Sequence, residues 1–415
     1  MRIAFLLGEF PSLSETFILD QVTALIERGH EVSIFAERRS RDPVAHPAVT
    51  EHDLLARTRY ENLPGSPWQR ATQLPPPWRW PVPMWRSLDV RRFGALGASL
   101  RLAWGVQLLD GVREFDVIQC HFGALGLKAV LLRETGALSG AIVTAFHGED
   151  ITNYPRQFAP GVYARLFAHG DRFLPISARW NDSLSALGCP MDRVHVHPMG
   201  VRTGRFASHA RPSREDGRIR ILSVSRLVAK KGVGDAIRAV AGMESACQLV
   251  IVGEGPLRGA LQALAEELGV GQRVTFVGAL SGSDVAEQLR IADIFIAPSV
   301  TARDGDIEGI PVSIMEAMAA GLPVVSTMHS GIPELVHDGV SGFLVQEGDV
   351  AALGAHLTTL AGDETLRFRM GAAGRETVQR NFDVDRLTDQ LVGHYEELIA
   401  ARRPRASRIA ASAAP

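Results

Sequence analysis

The segment "RDGDIEGIPVSIMEAMAAG", residues 303–321, gathers four carboxylates: Asp304, Asp306, Glu308 and Glu316. Carboxylates grouped in this way can hold a divalent cation, act as an acid/base pair on one bond, or grip a polyol through its hydroxyls. The surrounding pattern helps to separate these chemistries. "DIFIAPS" reads as a buried strand, "TARDGDIEG" as a loop and "PVSIMEAMAA" as a helix, with Pro311 in its first turn and Gly321 and Pro323 at its stop. Ile314, Met315 and Met318 supply its core face. Glu308 then precedes the helix and Glu316 lies nearly two turns inside it, and helical steps of ~1.5 Å place the two on the order of 12 Å apart. Carboxylates that serve one glycosidic bond sit ~5 Å apart in retaining hydrolases and below about 10 Å in inverting ones, so these two do not share a bond.

That span suits the two ends of a sugar nucleotide, with one carboxylate at the sugar hydroxyls and the other at the ribose diol. The helix N-terminus between them would face a diphosphate with free N–H groups and a positive dipole end. Read alone, Glu316 is equally a surface glutamate on an amphipathic helix. Arg226 and Lys231 flank a basic loop in "ILSVSRLVAKKGVGDAI", after a strand and before a helix. A guanidinium and an ammonium placed there suit a diphosphate, and ordinary surface basicity is the alternative. His147 in "FHGED" follows another strand, where a lone histidine is commonly structural. His121 and Asp150 stand at strand ends that face the expected cleft and are acceptor-side candidates. Glu15 is a further candidate, although Ser12-x-x-Glu15 also reads as a capping box before "FILDQVTALIERG". His195 and His197 alternate on what reads as one strand face, with no third metal ligand beside them. Asp304-Gly-Asp306 reads as a polar turn before the helix.

These residues need a frame. The chain has 415 residues, 46% of them hydrophobic and 22% charged, with a formal net charge of −2. Such a chain suits two globular domains and has no global charge to recruit nucleic acid. Three cysteines without a CxxC pairing exclude a zinc ribbon or a disulfide scaffold and fit a reducing cytosol. The apolar start "MRIAFLLGEFP" stops at Gly8-Glu9 and reads as a strand rather than a signal peptide. Short apolar strands alternate with helical patterns in both halves: "RIAFLLG", "EVSIFAE", "DVIQCHF", "AIVTAFHG", "RFLPIS" and "VHVHPMG", then "IRILSVSR", "QLVIVGEG", "RVTFVGA", "DIFIAPS", "PVVST" and "GFLV". This predicts two Rossmann-like α/β domains facing across a cleft. Neither half carries GxGxxG or a GxxxxGK[ST] phosphate loop, which disfavours nicotinamide enzymes and P-loop ATPases. The expected units are an N-terminal domain over 1–203 and a C-terminal domain over 217–380, followed by a helix over 381–402 and a tail over 403–415. An insertion over about 61–104 holds five of the six tryptophans, six arginines and several prolines.

"EGIPVSIME" resembles the E-x7-E motif of the retaining glycosyltransferases of family 4, and "SVSRLVAKKG" resembles their phosphate-binding loop. "GEGPLR", "VTFVGAL" and "PVVSTMHSGIPELVHDGVSGFLV" resemble further blocks of that family in the same order. "FPSLSETFI", "FHGEDI" and "TARDGDIEGIPV" are most similar to bacterial exopolysaccharide enzymes of the colanic acid and amylovoran type. The resemblance implies the GT-B fold, with the C-terminal helix returning to the N-terminal domain. It also implies a nucleoside-diphosphate-sugar donor and a growing, lipid-linked glycan acceptor. Arg226 and Lys231 would bind the donor diphosphate with the amides of Gly309 and Ile310, Glu308 the donor sugar, and Glu316 the ribose. His147 would contact the donor sugar near the reacting centre. No metal or other cofactor is implied, because basic groups and the helix dipole stand in for an ion. Retention would follow front-face attack, without an enzymic nucleophile.

The chain departs from that family in two places. Where many members have a Gly-Gly turn after the first strand, this one has "GEFPSLSET", and Arg202 in "PMGVRTGRF" replaces a common Asp, which leaves the hinge contacts open. The Trp/Arg insertion has two readings, docking onto a membrane or packing on the N-terminal domain. The expectation is a cytoplasmic enzyme touching the inner membrane surface, with no nucleic-acid partner. Two other classes remain as alternatives: a non-catalytic sugar-nucleotide-binding subunit and a nucleotide-sugar 2-epimerase.

Overall fold

The computed structural model describes residues 1–12, 16–40, 46–109, 114–158, 160–206 and 217–402. Glu15, residues 207–216 between the two expected domains and the tail over 403–415 lie outside them. Two six-stranded parallel sheets carry the molecule. The first contains β1 (Arg2–Phe10), β2 (Glu31–Arg39), β3 (Thr58–Tyr60), β4 (Glu114–His121), β5 (Ser139–Phe146) and β6 (Arg172–Pro175) in the order β3-β2-β1-β4-β5-β6. The second contains β7 (Ile219–Val224), β8 (Cys247–Val252), β9 (Val274–Gly278), β10 (Ile294–Ala297), β11 (Val324–Thr327) and β12 (Gly342–Val345) in the order β12-β11-β10-β7-β8-β9.

The strands read as unbroken apolar runs because helices cover both faces of each sheet. Along β1, Ile3, Phe5 and Leu7 enter one core cluster while Ala4 and Leu6 enter the cluster on the opposite face. In the second sheet Ile294 and Ile296 of β10 face one cluster and Phe295 faces the other. The three-residue β3 was too short to leave a strand pattern. "VHVHPMG", expected as a strand, is not one. The amides of His195 and His197 donate to Phe173 and Pro175 of β6, at 3.0 and 2.9 Å, but Pro175 has no N–H with which to complete a ladder.

The last helix, Val384–Arg402, leaves the C-terminal domain and packs on the first sheet. Leu391 and Tyr395 join the core around β1, and the Tyr395 hydroxyl donates to Gln119 Oε1 at 2.9 Å. Arg28 anchors its start through Asp385 and Asp389. Arg202 supplies the hinge contact that its substitution left open. It pairs with Asp20 at 3.4 Å and with Glu27 at 2.9 Å, tying the interdomain crossing to helix Thr16–Glu27.

Candidate active site

The carboxyl ends of both sheets meet at the cleft, where open α/β sheets place ligands. From the first sheet come His121 at the end of β4 and His147 directly after β5. From the second come the loop after β7, with Arg226 and Lys231, and the loop after β10, with Asp304, Asp306 and Glu308. Gly309 lies where the two halves touch. A Cβ on it would stand 2.6 Å from Ile176 Cδ1 and 2.9 Å from the His147 carbonyl oxygen, so only glycine fits this crossing.

Glu308 is buried and electrostatically committed. Lys231 Nζ donates to its Oε2 at 2.8 Å, and Lys230 Nζ lies 3.6 Å from Oε1. Burial alone would raise its pKa, but the charges of Lys231 and Lys230 outweigh it and hold the carboxyl below its ordinary range. The Glu308 amide donates to His329 Nε2 at 3.0 Å, and His329 Nδ1 meets Glu347 Oε1 at 2.5 Å. Lys230 also pairs with Asp306 at 3.0 Å, while Asp304 Oδ1 accepts the Asp306 amide. Asp306 is thus occupied by a lysine and Asp304 by a turn amide.

Helix Val312–Ala319 starts behind Pro311, so only the second half of the Glu308–Glu316 interval is helical. The 12 Å expectation treated the whole interval as helix, and the Glu308–Pro311 stretch, which bends at Gly309 and Ile310, lies outside its premise. Ahead of the helix the amides of Gly309 and Ile310 meet no partner among the described residues. Glu316 is half-buried at the cleft floor. Burial first, and the charge of Asp20 second, push its pKa up to about 7 against the pull of Arg205. Asp20 is itself buried and pairs with Arg205 at 3.1 Å. Arg226 is exposed at the cleft side of β7, and its guanidinium meets no partner among the described residues.

His147 lies against Phe17 and Phe122, with ring centroids 5.1 and 4.6 Å away. Its Nε2 is 3.0 Å from His121 Nδ1, and His121 Nε2 is 2.9 Å from Gln21 Oε1. The amide oxygen of Gln21 only accepts, so His121 carries its proton on Nε2 and accepts at Nδ1 from His147 Nε2–H. His147 Nδ1 is then a bare acceptor, and it is buried without a partner. Burial lowers the His147 pKa to about 3, so the ring stays neutral.

Asp150 takes a different task from the acceptor-side role expected of it. Its Oδ1 accepts the amides of His147 and Gly148 and its Oδ2 that of Gly123, all at 2.9 Å, so it shapes the loop that carries His147. Burial pushes its pKa up to about 6 against those three bonds. His121 likewise is buried, behind His147. His195 and His197 face His394, whose Nδ1 receives a bond from Arg172 at 2.6 Å, which is packing rather than a metal set.

Several residues at the cleft were not singled out from sequence: Lys230, His329, Glu347, Asp20, Gln21 and Glu334. Glu334 spans the two domains, accepting from Ser177 Oγ at 2.7 Å and from the amides of Ala178 and Arg179 at 3.2 and 3.1 Å. Two signals were present in the sequence. "AKKG" offers two lysines, and Asp20 is an acid inside the apolar run "FILDQVTALI".

Comparison with known proteins bears on the fold and the family. The model described as "Glycosyl transferases group 1" matches residues 205–377, and that described as "Glycosyltransferase Family 4" matches residues 14–205. The putative colanic acid biosynthesis glycosyltransferase WcaL of Salmonella typhimurium is 38% identical over 94% of this chain and 98% of its own. The amylovoran biosynthesis glycosyltransferase AmsK of Erwinia amylovora is 37% identical over 92% of this chain and 96% of its own. The crystal structure of Anabaena HepE in complex with UDP and glucose aligns over 96% of this chain and 100% of its own, with a TM-score of 0.72 at 18% identity. That likeness shows the fold, the GT-B pair of Rossmann-like domains. The chain belongs to the glycosyltransferases that join these group 1 and family 4 domains.

Proposed function

We propose that the chain transfers a sugar from a nucleoside-diphosphate sugar to a growing, lipid-linked exopolysaccharide glycan at the cytoplasmic face of the membrane, with retention of anomeric configuration. The observation that carries the reading is the convergence in one cleft of Arg226, the Lys231–Glu308 pair, the open end of helix Val312–Ala319 and the neutral His147. In this reading the bond between the anomeric carbon and the diphosphate oxygen breaks, and its electron pair leaves on the diphosphate. The acceptor hydroxyl oxygen bonds to the anomeric carbon on the same face, and its proton passes to the departing phosphate oxygen. Arg226, Lys231 and the amides of Gly309 and Ile310 meet the growing negative charge in place of a divalent cation. Glu308 takes the donor sugar hydroxyls, Glu316 the ribose diol, and His147 Nδ1 accepts from a sugar hydroxyl. The names of WcaL and AmsK support the exopolysaccharide class, and the UDP and glucose bound by HepE support the donor class.

A thermal-shift screen of uridine-, guanosine- and adenosine-diphosphate sugars tests the donor site, since a ligand that binds only the folded state stabilises it. One nucleotide class should raise the melting temperature, and Glu316→Ala should remove most of that rise. An equal rise in Glu316→Ala would remove the ribose assignment.

A further inference from the structure

The insertion between β3 and β4 divides its tryptophans. Trp80 and Trp104 pack on the core of the first domain, with their indole N–H groups bonded to the carbonyls of Pro75 and Arg70. Trp68 and Trp78 stand in water, 77% and 83% exposed, and Trp85, 51% exposed, rests against Trp80 with ring centroids 4.9 Å apart, with Val82 and Val90 exposed among them. The segment that displays them is built rather than loose. Leu74, Met84, Phe93 and Leu102 sink into the first core, and the buried Arg70 ties its ends through the carbonyls of Pro64, Gly65 and Ser99.

Charge follows the same division. Residues 62–109 contain six arginines and a single acid, Asp89, on a chain of net charge −2. Asp89 accepts the amides of Arg91 and Arg92, and Arg92 pairs with Glu134. Arg79, Arg86, Arg91 and Arg101 are exposed, and none meets a carboxylate among the described residues. A built segment that holds three indoles largely in solvent and carries four guanidiniums without carboxylate partners lacks an occupant.

We propose that this surface docks on an anionic lipid bilayer, with Trp68, Trp78 and Trp85 entering the headgroup layer and Arg79, Arg86, Arg91 and Arg101 meeting lipid phosphates. Indoles favour that layer because one end is apolar and the N–H stays wet, and each nearby arginine adds attraction to an anionic surface. No helix among the described residues is long and apolar enough to cross a membrane, so this contact is peripheral. It deepens the lipid-linked acceptor reading above and rests on that reading for its purpose, since it sets the first domain where such an acceptor projects.

Sedimentation of the full chain with phosphatidylcholine vesicles, made with and without phosphatidylglycerol, tests the proposal. The chain should pellet with the anionic vesicles, less so as salt rises, and its indole emission should shift to the blue. Arg79→Glu with Arg91→Glu should lower partitioning at least tenfold, given about fivefold per neutralised arginine. Trp78→Ser with Trp85→Ser should lower it and leave only the smaller emission shift of Trp68, while Trp78→Phe and Arg79→Lys keep most of the binding. Equal binding to both vesicle types, or variants that bind as the parent does, would overturn the proposal. A parent oligomer that these variants dissolve would assign the surface to a second copy instead. Donor-induced thermal stabilisation, read on the same variants, should be unchanged. Its absence in the parent protein would count against the transferase reading and leave the vesicle result standing.

Discussion

Lys231 and Glu308 form a 2.8 Å ion pair between the loops after β7 and β10, two groups that the family resemblance assigns to different parts of one donor. In the free protein they hold each other. The pair keeps a buried carboxylate ionised and fixes the ammonium at the cleft.

Removing one partner should therefore cost more than removing both. Lys231→Ala leaves Glu308 with Lys230 at 3.6 Å as its nearest cation and should lower unfolding free energy by about 3 kcal/mol in urea titrations. Adding Glu308→Gln to that variant should recover most of the loss. A double variant as unstable as Lys231→Ala would mean that the lysine acts through packing alone.

Glu316 should make both stability and donor affinity depend on pH, in opposite directions. Its pKa rises on folding from 4.5 to about 7, so the folded state binds more protons across that window. Stability from this group is complete below about pH 4.5 and is lost as pH climbs through about 7. Comparing the parent with Glu316→Gln isolates that slope from the contribution of Asp150, which the variant retains. A ribose diol donates to a carboxylate, and charge-assisted bonds exceed neutral ones, so nucleotide affinity should rise up to about tenfold from acid to alkaline conditions. Calorimetry should show that rise in the parent and a flat profile in Glu316→Gln.

Gln21 should set the tautomer of a ring it does not touch. Through His121 it places the proton of His147 on Nε2. Nitrogen-15 spectra of the imidazoles should show His147 protonated at Nε2 and neutral down to about pH 3, where burial has moved its titration. Gln21→Leu removes the acceptor and should give mixed tautomers and a fall in kcat of about tenfold, with less change in the KM for donor. An unchanged His147 spectrum in Gln21→Leu would leave Gln21 a packing role only.

Much of this arrangement was readable from the chain. The alternation of apolar strands with helices predicts two parallel sheets, and ordered blocks such as "SVSRLVAKKG" and "EGIPVSIME" point to the cleft loops. What escaped was pairing across distance. Nothing local distinguishes Lys230 from Lys231, yet one meets Asp306 and the other Glu308 Oε2. Asp150 looked like an acceptor-side acid because its place after β5 was legible, whereas the three amides that occupy it come together only when residues 123 and 147–148 converge. The Glu334 latch on Ser177, Ala178 and Arg179 joins residues more than 150 positions apart and has no periodic signature at all. "VHVHPMG" misled for a local reason, since its alternation is genuine and only the missing amide of Pro175 prevents a ladder.

The central claim is sugar transfer from a nucleotide donor held by Glu308, Glu316 and Arg226. Its most direct test supplies the stabilising nucleoside-diphosphate sugar, labelled in the sugar, together with a lipid-linked oligosaccharide extract. Label in the lipid fraction and free nucleoside diphosphate are then followed together. Label should enter the lipid fraction in step with nucleoside diphosphate release, with the donor's anomeric configuration kept in the product, and Glu308→Gln should abolish both signals. A donor sugar altered in place without acceptor, or a donor bound but never cleaved with any acceptor in the extract, would contradict the account.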